Sequence, residues 1–192
     1  MNPKLLLLDN FDSFTYNLQH YAVICGFEVI VKRNTLTVQE VEIIEPQAIL
    51  LSPGPSSPNE SGNMMKILSA YAGKIPIIGI CLGHQAIGLY LGFTLQHAIK
   101  PMHGKVSEVE HTNHPLFHGV SNPFRAMRYH SLIIEAKEEI SNTDVLCKTS
   151  HGEIMGIYNQ SLLLCGLQFH PESIETPSGL QLLQNWKDLN FR

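Results

Sequence analysis

The chain of 192 residues contains no run approaching the roughly eighteen consecutive apolar residues that a membrane-spanning helix needs. It also lacks a basic excess. Thirteen Lys and Arg stand against seventeen Asp and Glu, a formal charge of −4, which leaves no general electrostatic footprint for nucleic acid. The four cysteines, at 25, 81, 147 and 165, form no C-x-x-C pair, so neither a zinc ribbon nor a disulfide framework is indicated and a reduced, cytoplasmic compartment is expected. Gly54 and Gly62 fit neither G-x-G-x-x-G nor G-x-x-x-x-G-K-[ST], which removes the dinucleotide and phosphate-loop readings. The apolar segment in Met1–Asp9 is too short for a secretory leader and reads as a first strand. No internal repeat or low-complexity segment is found.

What is present is a chain with 44% apolar and 16% charged residues, the balance of a globular protein, read as one domain over 1–192. Residues 4–8, 28–32 and 48–51 read as strands, with helices expected over 13–25, capped by Asp12 or Ser13 and stopped by Gly26, and over 37–44, opened by a Thr37–Glu40 capping box. Close spacing of strand, helix and strand implies right-handed parallel crossovers. Ser52-Pro53-Gly54-Pro55-Ser56-Ser57-Pro58 is too rich in proline for either element, and it follows a strand, where open α/β sheets place ligand sites. A helix over 62–71 comes next. From 94 to 169 the apolar runs are short and separated by turns, as for antiparallel or mixed strands added beside the parallel core, and residues 178–191 form a closing helix with Leu182, Leu183, Trp186 and Leu189 inward.

The stretch from Lys74 to Gln85 organises the rest. Ile75–Ile80 is an apolar, β-branched run suited to a buried parallel strand, and the following residues switch to helical period, with Ile87, Tyr90 and Leu91 toward the sheet. Between them lies Gly79-x-Cys81-x-Gly83. A nucleophile at a tight strand-to-helix turn needs small neighbours, and the helix start supplies unpaired N–H groups for a developing negative charge. The alternative is an inert buried cysteine among glycines that permit close packing. Cys25, Cys147 and Cys165, among apolar neighbours, read as core.

A cysteine nucleophile needs a base and a group to orient it. Of ten histidines, His170 stands out, since Gly166–Phe169 reads as a strand and His170-Pro171-Glu172 ends it. Residues two apart in extended chain share a side, so Glu172 can accept from the His170 ring; the pair also fits an ordinary surface turn. His97, His103, His111, His114 and His118 lack helical spacing or paired cysteines, so no metal site is assigned. His84 and His130 fit either a structural hydrogen bond or a task near the pocket.

Taken together, Gly79-Ile-Cys81-Leu-Gly83-His84-Gln85, the downstream His170-Pro171-Glu172 and the upstream Ser52-Pro53-Gly54-Pro55 resemble the class I, triad-type glutamine amidotransferases. Asp9–Thr15, Met102–Lys105 and Arg128–Leu132 resemble the small subunits of anthranilate synthase and aminodeoxychorismate synthase within that family. The resemblance spans essentially the full length. It implies an α/β fold, an open, mostly parallel central sheet with helices on both faces and additional antiparallel strands. It further implies Cys81 as nucleophile, His170 as acid/base and Glu172 as its orienter, with backbone N–H groups of Gly54 and Leu82 at the oxyanion and Pro53, Gly54, Gln85, Ser131 and Leu132 holding glutamine. The implied reaction hydrolyses L-glutamine to glutamate and ammonia through a Cys81 thioester, with no cofactor, no nucleic acid and no membrane. The implied partner is a chorismate-binding large subunit, component I, contacted through Pro55, Ser56, Met102, His103, Gly104, Lys105, Tyr129 and His130. A solvated turn is the alternative for Met102–Lys105. Ser56-Ser57 departs from the glycine-containing loop of many relatives. Two other readings remain open, a stand-alone cysteine amidohydrolase or peptidase and a non-catalytic scaffold for the large subunit.

Overall fold

The computed structural model describes residues 2–136 and 138–191. Eleven strands and five α-helices follow one another among the described residues. The first half alternates β1 (Lys4–Asp9), α1 (Thr15–Ile24), β2 (Glu28–Arg33), α2 (Val38–Ile44), β3 (Ala48–Leu51), α3 (Met64–Tyr71), β4 (Ile77–Ile80) and α4 (Leu82–Leu91). Strands then dominate as β5 (Thr94–His97), β6 (Lys105–His111), β7 (Phe124–Arg128), β8 (Leu132–Glu135), β9 (Asp144–Thr149), β10 (Ile154–Asn159) and β11 (Leu164–Leu167), before the closing α5 (Gly179–Asn190).

Nine strands join one sheet in the order β2-β1-β3-β4-β11-β10-β9-β6-β7. The first five are mutually parallel, and the pairings from β11 outward are antiparallel. The all-apolar strands predicted at the centre are buried throughout, as a parallel sheet covered on both faces requires. Leu18 and Ala22 of α1 and Leu182, Leu183 and Trp186 of α5 enter one apolar cluster; Val41 of α2, Met64, Ile67 and Leu68 of α3 and Leu82, Ala86 and Ile87 of α4 enter the other. Helices therefore cover both faces, as expected.

Several local expectations shift. Helix α1 starts at Thr15, because the preceding turn holds the backbone out of helix: Phe14 N–H donates to the Asp12 carboxylate at 2.7 Å, and Thr15 Oγ1 donates to Asp9 at 2.8 Å. The Thr37–Glu40 capping box forms as read. Helix α3 begins at Met64, since Gly62 sits at φ +57. Strands β5 and β8 pair only with each other and do not extend the main sheet, because β8 lies over α4: a methyl on Gly88 would come within 2.7 Å of Ile134. Tyr90 is exposed, since α4 buries its first seven residues and then emerges from the core.

Candidate active site

Cys81 sits where β4 turns into α4, with φ +51 and ψ −99, a backbone that a β-substituted residue adopts only under constraint. Two constraints are visible. Its N–H donates to Leu167 O at 2.8 Å, tying it to β11, and its carbonyl accepts the Gln85 N–H at 3.0 Å, opening α4. The flanking glycines are required by contact rather than by φ. A methyl on Gly79 would overlap the Gly83 backbone, and one on Gly83 would overlap the carbonyl of Leu51. The start of α4 thus lies directly on the sheet.

His170 and Glu172 arrive from the other end of the chain. Because β3, β4 and β11 are parallel neighbours, the segments after them all leave the sheet at one edge, which sets the Pro53–Gly54 loop and the His170 segment on either side of Cys81. His170 Nδ1 lies 2.6 Å from Glu172 Oε1, and both side chains are buried. The His170 backbone is held on both sides, its N–H donating to Met127 O at 2.9 Å and its carbonyl accepting the Thr176 hydroxyl at 2.8 Å. Phe14 and Tyr129 pack edge-on against the ring, at centroid distances of 5.8 and 5.1 Å. With Nδ1 committed to Glu172, the buried Nε2 has no hydrogen-bond partner other than the neighbouring Cys81 among the described residues. Burial alone would lower the pKa of His170, but the neighbouring Cys81 and Glu172 outweigh it and raise it.

A cleft of about 270 Å³ opens beside Cys81, lined by Gly54, Pro55, Ser56, Leu82, Gln85 and the segment Tyr129–Leu132. Leu82 opens α4, so its N–H has no partner within the helix. Two residues expected in the site lie buried in the structure. Pro53 is buried with its carbonyl engaged by the Ser52 hydroxyl at 2.6 Å, and the cleft wall starts at Gly54. His130 is 5% exposed and bonded internally on both ring nitrogens. The other expected contact residues lie at the rim: Pro55, Ser56, His103, Gly104 and Lys105 are exposed, Met102 and Tyr129 half-buried. The His103 ring meets Tyr129 edge-on at 6.0 Å. Of the loop histidines, His111 stacks on Phe117 at 4.3 Å and His114 accepts the Leu116 N–H.

A sequence model of the family described as glutamine amidotransferase class-I matches residues 6–188. The chain belongs to the class I glutamine amidotransferases. It is 45% identical over 183 residues to aminodeoxychorismate/anthranilate synthase component 2 of Bacillus subtilis, covering 95% of this chain and 94% of that protein. It is 45% identical over 190 residues to anthranilate synthase component 2 of Azospirillum brasilense, covering 98% and 97%. A solved structure from Thermoplasma acidophilum, provisionally described as part of a GMP synthase, matches with a TM-score of 0.86 over 98% of this chain and 94% of that one. At 21% identity it speaks to the fold alone.

Two features of this amidotransferase escape a reading by motifs, the roles of Gln168 and Asn10. Gln168 is fully buried, with Nε2 3.7 Å from the Cys81 sulfur and Oε1 accepting from Gln85 at 3.2 Å. Its place two residues before His170 is the signal that could have found it, by the same alternation that links Glu172. Asn10 organises the Gly54 loop: its N–H donates to Ser52 Oγ at 2.8 Å and its Nδ2 to Ser52 O at 2.9 Å. A methyl on Gly54 would come within 2.6 Å of Asn10. Ser56 adopts φ +65, a left-handed backbone that glycine reaches without strain.

His84 and His130 are held neutral. Burial is the main cause for both, reinforced at His130 by the Arg128 charge, and each falls from 6.5 to about 3. Between those values the unfolded chain binds more protons than the folded one, so stability falls as pH drops below 6.5. The unfolding free energy of this amidotransferase, read from urea titrations, is therefore expected to decline already between pH 6.5 and about 5, where carboxylates stay mostly ionised, with a slope on the order of 1 kcal/mol per pH unit for each histidine, and the urea midpoint with it. A flat midpoint across that window would show that the two rings are not buried neutral.

Proposed function

We propose that the chain is a glutaminase subunit that hydrolyses L-glutamine and passes the ammonia to a chorismate-aminating large subunit in the cytoplasm. The observation that carries this reading is the meeting, at one sheet edge, of a cysteine on a constrained strand-to-helix turn with a buried His170–Glu172 pair beside an open cleft.

The chemistry follows from the parts. The raised proton affinity of His170 suits it to take the Cys81 thiol proton on its free Nε2. The sulfur then attacks the amide carbon of glutamine, and the charge developing on oxygen meets the N–H groups of Leu82 and Gly54. Losing one such donor typically costs about 3 kcal/mol in the barrier. As the tetrahedral intermediate collapses, His170 returns its proton to the departing nitrogen and ammonia leaves. Water deprotonated by the same ring hydrolyses the thioester, releasing glutamate and restoring the thiol. Glu172 keeps the ring oriented and stabilises its protonated form.

The partner reading rests on the names of the component 2 relatives and on the rim. Free ammonia near neutral pH is mostly ammonium, which is no nucleophile, so direct delivery to a second active site favours a complex. Pro55, Ser56 and Met102–Lys105, with Tyr129 behind them, form the contact surface. Those relatives carry both anthranilate and aminodeoxychorismate synthase names, and the large subunit chooses the product.

The test is ammonia release from labelled glutamine by the purified chain, with and without a chorismate-binding large subunit. A strong rise on adding the large subunit is the expected result. Cleavage of peptides in preference to glutamine would favour a stand-alone amidohydrolase. No glutaminase under either condition would leave only a scaffold.

A further inference from the structure

Arg128, the last residue of β7, and Glu153, just before β10, form an ion pair at 2.5 Å with side chains 4% and 5% exposed. Their remaining polar atoms are also placed. Arg128 Nη1 donates to Ser107 Oγ at 3.1 Å, and Glu153 Oε1 accepts the Ile99 N–H at 3.1 Å. Arg128 Nε, always a donor, points at His130 Nε2 from 3.0 Å. That contact makes Nε2 an acceptor and puts the ring proton on Nδ1, 2.9 Å from the carbonyl of Leu132. The same carbonyl receives Gln85 Nε2 at 3.0 Å. Ala98 N–H donates to Ser131 O at 2.8 Å and Met102 N–H to His130 O at 2.9 Å, completing the hold on this segment.

Buried ion pairs are often no more stabilising than apolar residues of the same shape, so stability alone does not account for this one. We propose that Arg128 and Glu153 are positioning residues for the substrate cleft: they set the tautomer of His130, which with Gln85 clamps the Leu132 carbonyl and fixes the Ser131–Leu132 wall. The assignment rests on the glutamine-pocket reading above. Neither residue reaches the reacting atoms. Their effect passes through His130 and a backbone carbonyl, so it shows in binding rather than in sulfur chemistry.

Inactivation of the full chain by a glutamine-shaped chloromethyl ketone separates the two. The Cys81 sulfur forms a bond to the reagent's methylene carbon as chloride leaves, and labelling is read by mass spectrometry. Iodoacetamide, which needs no pocket, is the reference. Arg128→Lys keeps the charge opposite Glu153 but removes the Nε–H that faces His130. The double variant Arg128→Met/Glu153→Gln removes both charges and guards against a variant that fails for want of an ion partner. Both variants are expected to raise the half-saturating ketone concentration about tenfold, with the limiting rate and the iodoacetamide rate within about twofold of wild type. A folded variant of either kind with wild-type half-saturation would assign the pair a purely structural role and overturn the proposal. A wild-type rate that rises linearly with ketone, without saturation, would instead overturn the glutamine pocket itself.

Discussion

Cys81→Ser is expected to abolish ammonia release from glutamine, by at least about 10⁴-fold, while leaving the large subunit able to use supplied ammonia. The side chain changes by one atom, so the constrained turn at φ +51, the bond to Leu167 and the packing of α4 are kept. A hydroxyl in that place is a far weaker nucleophile than a thiol at neutral pH. The two activities are measured on the same complex, with glutamine or ammonium as nitrogen source. Loss of both would locate the defect in assembly, and retention of the glutamine-dependent rate would remove Cys81 from the nucleophile's role.

The second large effect concerns a residue with no chemistry. Gly79→Ala is expected to destabilise the chain by about 3 kcal/mol, at the upper end of what overpacking costs, because the added methyl would overlap backbone rather than a side chain able to rotate away. Gly79 is paired with Leu51 on one side and Gly166 on the other, so neither neighbouring strand can yield independently. Relief by lifting the start of α4 would carry Cys81 and Leu82 away from the edge where His170 waits. The variant is therefore expected to lose glutaminase activity even where it remains folded. Urea unfolding and the ammonia assay together check this. An unchanged unfolding midpoint would show that α4 does not rest on the sheet as closely as described.

Much of the site can be read from residues near one another in the chain. The glycine spacing around Cys81 fits a tight turn as well as close packing, and the two-residue spacing of His170 and Glu172 permits their hydrogen bond as well as an ordinary surface pair, since both depend on backbone geometry over a few residues. The early start expected for α1 fails for a related reason. Asp9 and Asp12 each have a competing partner in the turn, and which of them the backbone chooses depends on where β1 delivers it. Tyr90 departs from expectation because helical period shows which residues share a face, not how far along the helix the core extends.

Chain-local chemistry points to an α/β architecture and offers a cysteine at a tight turn, a histidine with a carboxylate in reach, and a stiff loop able to face them. Only the tertiary structure decided that these belong together. The parallel pairing of β4 with both β3 and β11 brings the three segments to one edge, and strand pairing across such separations leaves no periodic trace in either partner. The same holds for the burial of His130 and for Gln168 against the sulfur. Both follow from which distant elements happen to pack above a residue, and that is a property of the assembled sheet and its covering layers.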